Sequence, residues 1–473
     1  MHRFLVSAAH KSSGKTTVSI GLAAALRSRG LVVQPFKKGP DYIDPLWLGM
    51  AAGRACRNLD FFLSADEEIR AQFARFGHDA DVCLVEGNKG LYDGLALDGA
   101  NSNAALARLL DLPVVLVLDA RGMTRGIAPL ILGYQAFDRR IRIAGVILNR
   151  LGGSRHESKL RAVIEHYTDV PVLGAIHDDP CLTLVERHLG LMPANETSAA
   201  EPRIAGIATR VAAQVDLDAL LKVSRDDTPL PAPPATRGTI PGAPLKVSRD
   251  DTPLRLAIAR DAAFGFYYAD DLDAFAAAGT TLLPFDTLRD ARLPACDALL
   301  IGGGFPESFL DALEANASLR ADIRAAIEAG LPTYAECGGL MYLARSISWQ
   351  GKTRQMVGVI PGDVTMHDKP VGRGYVILAP TAEHPWRDAT AAVPVLRAHE
   401  FHYSSLDGLP ADTRHAYDMK RGHGIDGVHD GIVHKNLLAS YTHLRSTGDC
   451  DWPNRFIDFA RRCKITGCCK ENQ

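Results

Sequence analysis

The sequence predicts an α/β protein made of two successive units, the first of them doubly wound. Short apolar runs alternate with longer helical stretches along the chain. A phosphate-binding loop follows the first run, and a cysteine followed by two glycines comes after a run in the second half. At 473 residues the chain is too long for one hydrophobic core. We therefore expect two or three domains.

The composition is that of an ordinary globular protein, and it argues against several function classes. Hydrophobic residues make up 47% and charged residues 23% of the chain, with a formal net charge of −2, so we expect no nucleic-acid partner. No apolar run reaches the roughly 18 residues of a membrane span, and the first residues do not resemble a signal peptide. The nine cysteines lack a framework spacing, which is typical of reduced thiols. We expect a cytoplasmic protein without a membrane partner.

The first unit is predicted from its strands and the helices between them. Apolar runs predict strands at residues 4–6, 31–33, 82–85, 114–118 and 144–148. Helical segments are predicted at 16–29, 101–110 and 156–167. Most of the strands are apolar throughout, as expected for parallel strands that are covered by helices on both faces. This is the pattern of a doubly wound domain.

A repeat marks the boundary between the two units. The segment 221–230 recurs without change at 245–254, and a proline-rich stretch lies between the copies. A repeat so short and so perfect indicates a recent tandem duplication in a tolerant linker, not a solenoid. The sequence therefore predicts a first domain at 1–221, a linker at 222–253, a second domain at 254–450 and a frayed C-terminal tail at 451–473.

The second unit begins as another α/β alternation. Strands are predicted at 256–259, 281–285, 298–301 and 332–335, with a helix at 318–329 before the last of these. Later segments, such as 374–378, hold more glycine and are typical of antiparallel strands.

The loop after the first strand predicts a nucleotide site. Its sequence fits the end of the G-x-x-x-x-G-K-[ST] motif, with Ala9 in place of the first glycine, and it lies between a strand and a helix as the motif requires. Gly14 permits close approach of a phosphate, Lys15 reaches the β- and γ-phosphates and Thr16 is suited to Mg²⁺. The residues expected to bind nucleotide are Ser12, Ser13, Gly14, Lys15, Thr16 and Thr17.

Carboxylates near the strand tips predict the rest of a Mg²⁺ site. Asp41 and Asp44 lie in one polar loop and Glu86 follows the strand at 82–85, so we expect Thr16, Asp41 and Glu86 to bind the ion.

Polar side chains in the neighbouring loops are candidate contacts for substrate and base. We expect Lys38, Tyr42, Asp44 and Asp93 to face substrate, with solvated turn residues as the alternative for each. Asn149 ends the strand at 144–148, where its amide is placed either to read adenine or to stabilise a turn.

Cys337 is the candidate nucleophile of a second site. It lies where a predicted strand turns into a helix, and backbone N–H groups at a helix start favour a thiolate. We expect Gly303, Gly304 and Gly338 to let substrate approach the backbone and to hold a developing oxyanion.

A cysteine that hydrolyses an amide needs a base, and His443, at the end of a predicted strand, is the candidate. The residue two positions beyond it is Arg445, so either the pair is a dyad or an orienting group comes from elsewhere in the chain. His399 and His402 have a spacing that a metal pair could use, but a third ligand is not evident, and we expect them to pack near the site or to contact substrate.

These segments together resemble the cobyrinic acid a,c-diamide synthase family of glutamine-dependent enzymes. The resemblance rests on residues 12–17, 38–45, 302–307, 336–342, 399–404 and 440–443. It implies a dethiobiotin-synthetase-like P-loop domain followed by a class I glutamine amidotransferase-like domain. It also implies that Cys337 is the nucleophile, that His443 raises its nucleophilicity, and that the substrates are ATP, with Mg²⁺, glutamine and an acidic tetrapyrrole. A homodimer is compatible with the sequence.

One stretch departs from the corrinoid members of that family. Residues 366–375 resemble relatives that amidate sirohaem, which is also an acidic tetrapyrrole with adjacent acetate side chains. Two alternatives of other classes are a P-loop ATPase switch or partitioning protein, and a binding protein with a decayed site. The first leaves Cys337 and His443 without a function, and the intact site residues argue against the second.

Overall fold

The computed structural model describes residues 1–184, 186–187, 190–196, 199–230, 253–386 and 395–466. The chain forms two compact units, Met1–Gly238 and Thr239–Gln473. Each is a mixed α/β domain with a largely or partly parallel sheet, which confirms the predicted fold class. None of the helices in the described ranges is long and apolar enough to cross a membrane.

The first unit contains a seven-stranded parallel sheet in the order β3-β2-β4-β1-β5-β6-β7. Its strands are β1 His2–Ala8, β2 Val33–Lys38, β3 Arg57–Leu59, β4 Val82–Glu86, β5 Val114–Asp119, β6 Ile143–Leu151 and β7 Val172–His177, followed by the short pair β8 Glu186–Arg187 and β9 Gly190–Leu191. Its helices are α1 Lys15–Ser28, α2 Ile43–Ala52, α3 Asp66–Gly77, α4 Asn103–Leu109, α5 Ile127–Phe137, α6 Ser154–Tyr167, α7 Ala200–Gln214 and α8 Leu217–Ser224. Separate apolar clusters cover the two faces of the sheet, as a doubly wound fold requires.

The second unit contains a nine-stranded sheet in the order β12-β10-β13-β15-β24-β23-β22-β19-β20. The strands of this unit are β10 Leu254–Ala259, β11 Phe264–Phe266, β12 Thr280–Phe285, β13 Ala298–Ile301, β14 Gly303–Gly304, β15 Thr333–Glu336, β16 Ala344–Trp349, β17 Lys352–Gln355, β18 Ile360–Met366, β19 Gly372–Pro380, β20 Leu396–His402, β21 Ser404–Asp407, β22 Arg414–Arg421, β23 His429–His434 and β24 Leu437–Ser440. The helices are α9 Ala269–Ala277, α10 Leu310–Ala315, α11 Ala317–Glu328, α12 Gly338–Leu343 and α13 Trp452–Thr466. Strands β12, β10, β13, β15 and β24 are parallel, and the remaining strands continue the sheet antiparallel.

The second strand is not where the sequence predicts it. The predicted strand at 31–33 is wrong except for its last residue, because β2 runs from Val33 to Lys38. Lys37 and Lys38 lie inside this buried strand with 3% of their surface exposed. A hydrophobic pattern does not reveal such a strand, because buried cations are tolerated only where polar partners compensate them. Those partners come from other parts of the chain.

The ends of the units also differ from the predicted limits. Helix α8 continues to Ser224, and Asp226 binds the first strand through Arg3 and the backbone oxygen of Met1, so the first repeat copy begins inside the first unit. Only Pro253 and Leu254 of the second copy lie among the described residues.

The predicted tail contains helix α13, whose residues include Phe456 and Ile457 of a buried apolar cluster. A frayed terminus is therefore wrong for 452–466; the rest of the tail lies outside the described residues.

Candidate active sites

The phosphate-binding loop joins β1 to α1 with a left-handed turn at its end. Gly14 has φ 88° and stands directly before the helix. This conformation favours glycine, and a Cβ atom there would lie 2.1 Å from Nδ2 of Asn149, so a larger residue would also displace that amide. Ser13 and Lys15 are buried in the loop, and Thr17 follows in the first turn of α1.

Residues at the end of β6 hold this loop in place. Asn149 donates from Nδ2 to the backbone oxygen of Ser13 over 2.9 Å. Arg150, which has φ 58°, donates from Nη1 to the oxygen of Ser12 over 2.8 Å and pairs with Asp119 over 2.9 Å. The amide nitrogen of Asn149 is thus engaged with the loop. That Asn149 reads adenine stays a prediction.

A cluster of carboxylates lies beside the loop at the tips of two neighbouring strands. The Thr16 hydroxyl donates to Oε1 of Glu86 over 2.7 Å and approaches Oδ2 of Asp44 at 3.3 Å. Lys37 lies 3.0 Å from Oε1 of Glu86, is paired with Asp44 and is 3.7 Å from Asp41. Strands β2 and β4 are parallel neighbours with Lys37 opposite Glu86, which explains why these residues meet.

Lys37 is a residue that the sequence analysis missed. Burial by itself lowers the pKa of Lys37, but Asp44, Glu86 and Asp41 raise it well above its ordinary value. Burial raises the pKa of Glu86, and burial together with Asp44 raises the pKa of Asp41 to about 7. The sequence feature that could have indicated Lys37 is the pair of lysines directly before the Gly-Pro-Asp turn.

The predicted substrate residues lie at the carboxyl ends of two neighbouring strands: Lys38 ends β2, Tyr42 and Asp44 lie where α2 begins, and Asp93 lies in the loop after β4. Lys38 donates to Oδ1 of Asn101 over 3.0 Å and to Oδ1 of Asn88 over 3.3 Å, and burial lowers its pKa to about 8. Asp93 accepts from the N–H of Gly90, which closes the turn after Glu86. Tyr42 is buried directly before α2. Contact of these residues with substrate stays a prediction.

A cavity of about 380 Å³ opens beside the phosphate-binding loop. One wall consists of the loop, Asp41, Asp44 and Asn149, and the other of the segment after β7, from His177 to Leu184. The sequence analysis did not single out this second wall. Its position at the carboxyl ends of parallel strands is where ligands bind in open α/β sheets.

In the second unit, Cys337 stands at a strained turn between β15 and α12. Its φ and ψ are 47° and −102°, a region that costs a non-glycine residue about 1–3 kcal/mol. The two glycines that follow let α12 pack closely, because a Cβ at Gly338 would lie 2.9 Å from the oxygen of Gly304. A Cβ at Gly339 would lie 2.2 Å from the oxygen of Ile301. The structure thus brings Gly304 and Gly338 together beside the thiol.

His443 reaches the thiol because β24 is the parallel neighbour of β15, with Ser440 opposite Glu336. The imidazole lies near enough to Cys337 for the thiol to affect its pKa, and its Nδ1 lies 3.3 Å from Oε2 of Glu336. A Cβ at Gly303 would lie 2.7 Å from Cε1 of His443, so the ring packs directly against that glycine. The structure thus brings Cys337 and His443 to the ends of neighbouring strands; that they act together as nucleophile and base stays a prediction.

The surroundings of His443 favour its protonated form. Burial by itself lowers the pKa of His443, but hydrogen bonds and charge from Cys337 and Glu336 raise it to about 10. The ring of His399 stacks on it at 4.9 Å, and burial together with His443 and Arg445 lowers the pKa of His399 well below its ordinary value. The surroundings therefore favour the charged form of His443 and the neutral form of His399.

His399 and His402 lie on strand β20 and pack near the thiol site. His402 stacks on Tyr441 with ring centroids 3.9 Å apart and hydrogen-bonds through Nδ1 to the oxygen of Ser404. Across the described ranges, His, Cys, Asp and Glu side chains form no group of three or more that could hold a metal ion.

Comparisons with known proteins match both units. The CobQ/CobB/MinD/ParA nucleotide binding domain matches residues 5–191, and the CobB/CobQ-like glutamine amidotransferase domain matches residues 255–449. A cobyrinate a,c-diamide synthase of Magnetococcus marinus is 44% identical over 95% of both chains. Proteins of the same name match from Methanosarcina barkeri, 39% identical over 97% of this chain and 96% of the relative, and from Listeria monocytogenes, 40% identical over 94% and 96%.

A nucleotide-binding domain and a glutamine amidotransferase domain in one chain define an ATP-dependent ligase that takes nitrogen from glutamine. A P-loop switch without an amidotransferase function is thereby excluded. The chain belongs to the cobyrinate a,c-diamide synthase family, which confirms the resemblance seen in its motifs.

Proposed function

We propose that this enzyme amidates the a and c acetate carboxylates of cobyrinate or hydrogenobyrinate, with ATP as energy source and glutamine as nitrogen source. The observation that carries the proposal is the match to relatives of that name over about 95% of both chains. The match spans the phosphate-binding loop and the thiol site together. We also propose the cytoplasm, where thiols stay reduced, as the compartment.

In the first unit, the proposed step is phosphoryl transfer from ATP to a substrate carboxylate. A carboxylate resists attack by ammonia, whereas an acyl phosphate carries a good leaving group. Lys15 and the loop amides would bind the transferred phosphates. Lys37 adds a buried positive charge beside Asp44 and Glu86, where it offsets their mutual repulsion.

The same cluster fits Mg²⁺, which would neutralise developing phosphate charge. Its donors are hard oxygens: the Thr16 hydroxyl and the carboxylates of Glu86, Asp44 and Asp41. Oε2 of Glu86 is buried and has no hydrogen-bond partner among the described residues. Within the described ranges, His, Cys, Asp and Glu side chains do not form a complete metal site. The ion would therefore take some of its ligands from these residues and the others from the phosphates of ATP.

In the second unit, the proposed step is hydrolysis of the glutamine side-chain amide. Cys337 attacks the amide carbon, His443 holds as an imidazolium the proton that the thiol has given up and passes it to the leaving ammonia, and a glutamyl thioester remains for water to hydrolyse. The backbone around Gly303, Gly304 and Gly338 would hold the oxyanion. The ammonia then displaces phosphate from the acyl phosphate. It must reach the acyl phosphate before it is protonated in bulk water, because ammonium is not a nucleophile.

A second candidate substrate is sirohaem, which the stretch 366–375 favours. In the structure His367 in this stretch hydrogen-bonds to Ser405 at 2.9 Å, and Arg373 lies over the ring of Phe401.

The test is to incubate the enzyme with ATP, Mg²⁺, glutamine and each tetrapyrrole, and to measure product masses. We expect two amides on the corrinoid; amides on sirohaem alone would overturn the main proposal.

A further inference from the structure

The carboxylate of Glu336 is buried and engaged at both oxygens. Its Oε1 accepts from the Tyr334 hydroxyl over 2.7 Å and from the N–H of Leu444 over 2.9 Å. Its Oε2 lies 3.3 Å from Nδ1 of His443. With 7% of the side chain exposed, the group is shielded from water, so each of these interactions is stronger than it would be at the surface.

The other carboxylates around this segment are occupied elsewhere. Asp270 pairs with Arg445 over 2.9 Å, and Asp271 accepts from the N–H of Ser446 over 2.6 Å. Asp430 accepts from the N–H groups of Tyr441 and Thr442. These acids hold the backbone and the arginine, whereas Glu336 faces the imidazole.

We propose that Glu336, the residue immediately before the nucleophile, is the positioning carboxylate of the thiol site, acting through His443 on Cys337. The inference rests on the proposed roles of these two residues in glutamine hydrolysis. The group that fixes the base thus comes from the strand of the nucleophile, and not from the segment that follows the histidine.

The sheet explains how one side chain does this. Strands β15 and β24 run parallel with Glu336 opposite Ser440, so the carboxylate at the end of one strand meets the chain that leaves the other. Binding the N–H of Leu444 fixes the backbone next to His443, and facing Nδ1 leaves Nε2 as the nitrogen that can take the thiol proton. The negative charge then stabilises the imidazolium that forms.

The test compares Glu336→Gln with a matched Glu328→Gln control. Glutamine is nearly isosteric and its carbonyl can still accept from Tyr334 and Leu444, but it carries no charge for the imidazolium. Glu328 forms another glutamate–histidine pair in the same unit, 3.1 Å from His434, but it is partly exposed and ends helix α11, before strand β15 begins. Glu336→Asp keeps the charge and serves as the conservative variant.

Two readouts need no tetrapyrrole. One is glutamine hydrolysis, for which we expect Glu336→Gln to lower kcat by about 10²-fold or more with little change in KM, and Glu336→Asp to recover part of it. The other is the rate at which iodoacetamide alkylates Cys337 between pH 6 and 10, with the exposed Cys181 as internal reference. In Glu336→Gln we expect the Cys337 rate at pH 7 to fall at least about tenfold relative to Cys181.

Synthesis driven by ammonium should survive in Glu336→Gln, and Glu328→Gln should behave as wild type. The inference is overturned if Glu336→Gln keeps hydrolysis and alkylation within about threefold of wild type. It is equally overturned if the variant loses ammonium-driven synthesis as well, because Glu336 would then serve only the fold. A wild type that hydrolyses glutamine without amidating cobyrinate would defeat the proposed substrate and leave the role of Glu336 standing.

Discussion

The ammonium group of Lys37 lies 3.0 Å from Oε1 of Glu86, with 3% and 0% of the two side chains exposed. A buried ion pair of this kind is costly to break by removing one partner, because the other charge is left uncompensated. Here three carboxylates depend on one lysine.

Replacing Lys37 by Met should therefore destabilise the first unit by roughly 3–5 kcal/mol and abolish synthesis. Urea unfolding measures the first effect. The control is Arg29→Met, which breaks an exposed pair with Asp218 and should cost no more than about 1 kcal/mol. Equal losses in the two variants would contradict the view that the buried cluster depends on Lys37.

The hydroxyl of Thr16 should matter for synthesis and not for glutamine hydrolysis. Thr16→Ser keeps the oxygen that bonds Glu86 over 2.7 Å, whereas Thr16→Val removes it at nearly the same volume. We expect the valine variant to lose about 10²-fold or more in ATP-dependent synthesis and to need more Mg²⁺, with the serine variant close to wild type. Equal synthesis activity in the two variants would show that the Thr16 hydroxyl takes no part in the phosphoryl-transfer step.

The packing of His443 against Gly303 predicts a steric effect. Gly303→Ala places a Cβ atom 2.7 Å from Cε1 of His443, so the ring must shift and glutamine hydrolysis should fall by about 10²-fold. Gly133→Ala on α5 meets nothing within 4 Å and should leave both activities unchanged. Unimpaired glutamine hydrolysis in Gly303→Ala would show that the ring does not need this position.

The raised pKa of His443 predicts how stability depends on pH. Its folded pKa of about 10 lies above its ordinary value, so its contribution is fully present below about pH 6.5 and is lost as the pH rises through about 10. The free energy of unfolding of wild type should therefore exceed that of His443→Asn by more at pH 6 than at pH 10. Urea unfolding at the two pH values measures this difference, and an excess that stays constant or grows with pH would contradict the raised pKa.

Local motifs predicted much of the fold and the centre of each site. The phosphate-binding loop, Glu86, Cys337 and His443 are recognisable because strand, turn and helix follow one another closely in the chain. Lys37 was missed because a charged residue is not expected in a buried strand. The residues that compensate its charge, Asp44 and Glu86, come from other elements and are not adjacent to it in the sequence. Glu336 was missed because the orienting acid was sought after His443, whereas the pairing of β15 with β24 brings it from the nucleophile's own strand.

The central claim is that nitrogen is released at Cys337 and used at a separate ATP site. The most direct measurement compares synthesis by Cys337→Ala with glutamine and with high ammonium as nitrogen source. We predict that glutamine-dependent synthesis is lost while ammonium-dependent synthesis remains within a few-fold of wild type. Loss of both activities in a well-folded variant would contradict the separation of the two chemistries.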